Sequence, residues 1–256
     1  MGSSVPSHPF RWPPSGGHGR HRAPGPAIIT ESSIALALWM QLHDSAFPAG
    51  RMVHSHGLEE WLTERPDAGP DDIADAVLSY LADSYAPLDA TFAAAAWRAH
   101  AIDRRLLALD RLLDSYKLSD NARTASTSTG RQLASAAHAT GLATGSDYLD
   151  AVLTGTTPAH NAIVEGALQA QLGVAQGTSV MGSVRTQLAS MLSAAVRLGR
   201  LGPLASQRIQ ARSVPLIADL VEQACLRDID DVWSTAPTME ISGMRHEART
   251  ARLFAT

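Results

Sequence analysis

At 256 residues the chain is long enough for one large domain or two small ones, and a hydrophobic share of 45% supplies a sizeable core. Its formal charge of -4 argues against nucleic acid as a general partner, because phosphate binding asks for a clustered basic surface. The single cysteine, Cys225, excludes a disulfide within the chain, and Lys117, the only lysine, leaves no Gly-Lys-Ser/Thr phosphate loop.

Residues 1–27 are rich in Pro, Gly, Ser, His and Arg and carry no periodic apolar face, so a disordered tail is expected, with His8, His18 and His21 incidental to it. The tail lacks the continuous apolar segment of a signal peptide. No stretch approaches the roughly 20 uninterrupted apolar residues of a membrane span. A cytoplasmic protein with no membrane partner is the expectation.

From residue 28 the pattern turns helical. Ser32 or Ser33 is placed to cap a largely apolar run ending near Leu42. Phe47-Pro48-Ala49-Gly50 then breaks the pattern, and Gly57-Leu58-Glu59-Glu60 restarts it. Pro70-Asp71-Asp72 opens a helix with Ile73, Val77, Tyr80 and Leu81 on one stripe. Leu106, Leu109 (or Leu107), Leu113 and Tyr116 mark another, and Val184, Leu188, Met191, Ala195 and Leu198 a third, which Gly199 or Gly202 would end. Strand-like alternation is nearly absent. The spacing predicts an all-α protein, a single domain over residues 28–256 with about nine or ten helices.

Candidate chemistry is sparse. His54 and His56 stand two apart, a spacing that shares a face on an extended strand and not on a helix; as metal ligands they form a weak pair needing a third or fourth partner such as His160 or Glu59. There is no His-Glu-x-x-His and no Gly-x-Ser-x-Gly. Asp71-Asp72 and Asp230-Asp231 lie where helix starts explain them. Arg245, Arg249 and Arg252 form a basic stripe ahead of Leu253-Phe254, and an apolar pair at a chain end suggests docking. No catalytic residue, bound cofactor or tightly held metal is expected, and the residues alone do not indicate an enzyme.

The run "FPAGRMVHSHGLEEWL" resembles the signature of the urease accessory protein F (UreF) family, with its Pro-x-Gly turn and Ser-x-Gly-Leu-Glu run. Four further stretches resemble that family in order. They are carried by Arg123, Ser126, Gly130 and Arg131; by His160, Gly166 and Gly173; by Ser193, Ala194, Arg197, Leu198, Gly202 and Gln207; and by His246, Glu247, Arg252, Leu253 and Phe254. The likeness spans roughly residues 30–256. It departs at Arg51-Met52, where a small residue and an aromatic are usual, at Pro203, where Gln is common, and at Glu165, inside a normally apolar helix.

The resemblance implies an all-α, non-enzymatic scaffold that acts as a homodimer in nickel delivery to apo-urease. It would bridge a UreD (in some species UreH) accessory protein and the UreG GTPase. The residues implied for partner binding are Phe47, Pro48, Gly50, Arg51, Ser55, His56, Gly57, Glu59, Arg131, His160, Arg197, Gln207, Arg245, His246, Glu247, Arg249, Arg252, Leu253 and Phe254. Residues 243–256 would be a docking segment. Two alternatives stand beside it: an all-α metal enzyme using His54 and His56, and a GTPase-activating protein supplying Arg51 in trans.

Overall fold

A computed structural model describes residues 32–143, 145–247, 253 and 254, with only the backbone of Met52 and Glu247. The tail expected over residues 1–27 lies outside them, as do Arg249 and Arg252. Among the described residues there is no strand. Twelve α-helices follow in order: α1 (Ser33–Leu42), α2 (Leu58–Thr63), α3 (Pro70–Tyr80), α4 (Thr91–Ala99), α5 (Asp103–Tyr116), α6 (Asp120–Ala139), α7 (Asp147–Leu153), α8 (Asn161–Gln171), α9 (Gln176–Arg197), α10 (Pro203–Arg212), α11 (Val214–Leu226) and α12 (Pro237–Glu247). The short α2 and α7 account for the excess over the nine or ten periodic stretches. No described helix is long and apolar enough to cross a membrane.

Helix starts follow local chemistry. Pro70 occupies the first turn of α3, where its missing N–H costs nothing, and the Asp72 carboxylate accepts the Gly69 N–H at 2.8 Å. Ser119 and Ser146 cap α6 and α7 through their hydroxyls. Gly199, at φ 70°, ends α9 as expected. Between α3 and α4 the chain does not break. Leu81–Ala90 is π-helical, so one rod runs from Pro70 to Ala99 with Pro87 inside it. A π turn relieves the clash a proline meets in an α-helix.

Two apolar cores result. One joins α2, α3, α9, α10 and α11 through Leu58, Ile73, Val77, Leu188 and Ile217. The other joins α4 to α8 through Phe92, Leu106, Leu113, Tyr148 and Ile163. The helices of the second core approach backbone to backbone. A Cβ on Gly166 would stand 2.3 Å from the Ala93 carbonyl oxygen, and one on Gly130 2.0 Å from that of Ala159. Only glycine fits these two crossings.

Candidate functional site: a polar seam and a tethered chain end

Between the two cores lies a polar cavity of about 70 Å³, walled by the 51–56 segment, the π-helical stretch, α6, α8 and α9. Arg51, His54, His56, Asp89, Lys117 and Glu165 all face it. α9 supplies Ser183, Gln187 and Ser190 from the face beside its apolar stripe. Lys117 donates to Asp89 at 2.7 Å, and both are buried. Arg51 donates to the Leu42 carbonyl at 2.7 Å and reaches Glu165 at 3.4 Å, and Asn161 donates to the other Glu165 oxygen at 3.2 Å. Arg51 Nε, Asn161 Oδ1 and Gln187 Nε2 find no protein partner on this wall, which makes it a place for water.

His54 and His56 have ring centroids 6.2 Å apart. His54 approaches Ser128 Oγ at 3.3 Å. Burial lowers both imidazoles; for His56, burial together with the charges on His54 and Lys117 brings it to about 3. Neither third ligand considered from sequence joins them. His160 is fully buried at the start of α8, bonded to Ser126 and Asp114, while the Asp110 carboxylate accepts the backbone N–H groups of Ala159 and His160 and the Thr157 hydroxyl. Glu59 is engaged elsewhere. Among the described residues no three His, Cys, Asp or Glu converge as a metal site. The two-histidine metal enzyme therefore lacks a ligand set here. Arg51, turned inward onto Glu165, is not a projecting finger either.

The second feature joins sequence positions far apart. Gly57 has φ 85°, and a Cβ there would stand 2.5 Å from the Met239 carbonyl, so α12 lies directly on the start of α2. His246 on α12, fully buried, bonds Glu59 at 2.9 Å. Glu59 also accepts the backbone N–H groups of Leu253 at 2.9 Å and Phe254 at 3.1 Å. Phe254 is 3% exposed, and the Arg197 guanidinium lies 4.5 Å over its ring. Burial raises the Glu59 carboxyl, but the bonds from Leu253, His246 and Phe254 outweigh it and hold it below its ordinary value. Arg245 pairs with Glu64 beside this contact.

The remaining partner candidates lie elsewhere. Pro48 is exposed and Phe47 half-buried against the second core. The buried Ser55 lies at the foot of Gly57, where its carbonyl starts α2, and Gly50 (φ 70°) lies against Gln132. Arg131 is exposed and donates to the Pro158 carbonyl, and Gln207 is exposed on α10. The structure thus gathers Gly57, Glu59, Arg197, Arg245, His246, Leu253 and Phe254 and leaves Arg131, His160 and Gln207 apart. Sequence reasoning missed His43, Asp89 and Asp110. His43 bonds Thr186 and Gln169 under Gly182. The readable signal was the lone Lys117, which needs a buried acid once it is itself buried.

The sequence profile of the UreF family matches residues 68–214, more than half of the chain. Curated relatives agree. The urease accessory protein UreF of Bradyrhizobium diazoefficiens is 28% identical over 89% of this chain and 94% of its own. That of Trichodesmium erythraeum is 27% identical over 89% and 99%. That of Xanthobacter autotrophicus is 29% identical over 87% and 90%. The signature runs around Gly57 and His246, the all-α fold that brings them together and these matches lead to one conclusion: the chain belongs to the UreF family of urease accessory proteins.

Proposed function

We propose that this chain is a non-enzymatic scaffold in nickel-dependent maturation of apo-urease, joining a D- or H-type accessory protein to the G-type GTPase as a homodimer. One observation supports the reading above others. Two of the five stretches that resemble the family meet around Glu59, which His246, Leu253 and Phe254 all bond. Leu253 is 54% exposed there and Arg245 is exposed beside it, an apolar anchor with a basic neighbour.

The test is co-purification of the tagged full-length chain, and of a version ending at Ser242, with the host's D- and G-type proteins. The scaffold reading expects both partners with the full chain and loss of the D-type protein on truncation. Recovery of neither with the intact, folded protein would sink it. A second reading makes the polar seam part of the route for nickel as cargo, favoured by His54, His56, Asp89 and Glu165 facing one cavity. Unchanged urease activation by the His54→Ala, His56→Ala double variant would remove it.

A further inference from the structure

We propose that Ser126, His160 and Asp114 form a proton relay between the polar seam and solvent. The three groups are joined end to end. Ser126 Oγ lies 3.0 Å from His160 Nδ1, and His160 Nε2 lies 3.1 Å from Asp114 Oδ1. Ser126 faces the seam, the His160 side chain is 0% exposed, and that of Asp114 is 38% exposed. The bonds therefore run from the cavity through the interior to the surface. The charged groups of the seam have little contact with solvent of their own: Asp89 is 6% exposed, Lys117 9% and Glu165 1%.

The ring is held in place. Asp110, itself buried on α5, accepts the backbone N–H groups of Ala159 and His160, both at 2.8 Å, which keeps Ala159 at φ 72° ahead of α8. Arg123 on α6 pairs with the same Asp114 oxygen at 3.3 Å and steadies the outer end. Burial is the first cause of the lowered imidazole pKa; Asp110, Asp114 and Asp89 oppose it and Lys117 adds to it. The ring thus rests neutral with one hydrogen to place. A carboxylate can only accept, so that hydrogen sits on Nε2, and the Ser126 hydroxyl donates to Nδ1. From this state a proton leaving the seam binds Ser126 Oγ as the hydroxyl proton passes to Nδ1. The Nε2 proton passes to Asp114 and then to water. Each bond to hydrogen that breaks is matched by one that forms, and the imidazole ends neutral with its hydrogen on Nδ1; the reverse passage resets it. Charge in the seam can then change without any helix parting. The relay holds whether or not nickel uses the seam.

His54 is the reporter, because it faces the same cavity, is 3% exposed and titrates below 6.5. The cavity, about 70 Å³, admits water as the carrier between it and Ser126. NMR of the full-length chain with isotope-labelled histidine reads both the His160 tautomer and the rate at which His54 exchanges between its neutral and charged forms. Hydrogen on His160 Nε2 is expected. Ser126→Ala and Asp114→Asn are each expected to slow the His54 exchange by about tenfold or more. The exposed His138 should keep its rate in both, and Ser126→Thr, which restores the hydroxyl, should keep the rate of the unaltered protein at His54. Equal His54 rates in folded Ser126→Ala and unaltered protein would overturn the proposal. So would hydrogen on His160 Nδ1 in the unaltered chain, or a Ser126→Thr rate as slow as that of Ser126→Ala. If Ser126→Ala does not fold, Asp114→Asn, at the surface end, decides.

Discussion

Arg51 and Glu165 form a buried ion pair that joins the 51–56 segment to α8. The guanidinium reaches the carboxylate at 3.4 Å, with the two side chains 11% and 2% exposed. Removing one charge leaves the other buried, a loss of about 3–5 kcal/mol, whereas removing both is often close to neutral. Arg51→Ser alone is therefore expected to destabilise strongly, and Arg51→Ser with Glu165→Ala to recover most of the loss. Denaturant unfolding of the four proteins measures it, and additive losses would show that the pair is not coupled. This pairing was not legible beforehand, since residues 114 positions apart share no local pattern and the helical spacing around Glu165 is apolar. Cys225 is half-buried on α11, and burial pushes its pKa up.

At the scale of elements, periodicity located the buried faces well. Ile73, Val77, Leu106, Leu113, Val184, Leu188 and Met191 are all fully buried as their spacing required, whereas Tyr116, expected on the stripe of Leu106 and Leu113, is 37% exposed at the end of α5. What periodicity could not show was the second face of α9, where Ser179, Ser183, Gln187 and Ser190 are buried too. Polar residues at intervals of three and four read as solvent-facing until a cavity is known to lie beneath them. The rod from Pro70 to Ala99 was equally hidden, because Pro87 reads as a break and only the wide π turns accommodate it. Close crossings make the sharpest prediction here. Gly166→Ala drives a methyl into the Ala93 carbonyl of α4 and should cost about 3 kcal/mol or more, a fall of roughly 6–12 °C in Tm. Gly177→Ala, with nothing within 4 Å, should leave Tm unchanged or raise it. Thermal melts of both variants check the contrast.

For the whole molecule the histidines set the response to acid. His43, His54, His56 and His160 all lie below their ordinary 6.5, burial being the first cause in each. Unfolded imidazoles bind protons near 6.5 and these folded ones only at lower pH, so the folded state is fully favoured above 6.5 and weakens as pH falls from there. Each contributes a slope of up to about 1.4 kcal/mol per pH unit, and the window for His56 extends to about 3. Glu59, held below its usual value by its three bonds, adds a loss at still lower pH. Tm is expected to drop steadily from about pH 7 to about pH 5, with His56→Gln flattening part of the slope; a flat profile in the unaltered protein would contradict the burial of these rings.

The rod that hides Pro87 also crosses from one core to the other. Ile73, Val77 and Leu81 belong to the first and Leu88, Phe92 and Ala96 to the second, with the polar seam lying against the π turns between them. Neither core keeps its packing if the rod is lost, because each would expose the strip it shares. Two cores divided by a polar seam would otherwise be free to melt separately. Fastened to one continuous strut they share a single cooperative unit, so one half cannot loosen its grip on the cavity without the other feeling it.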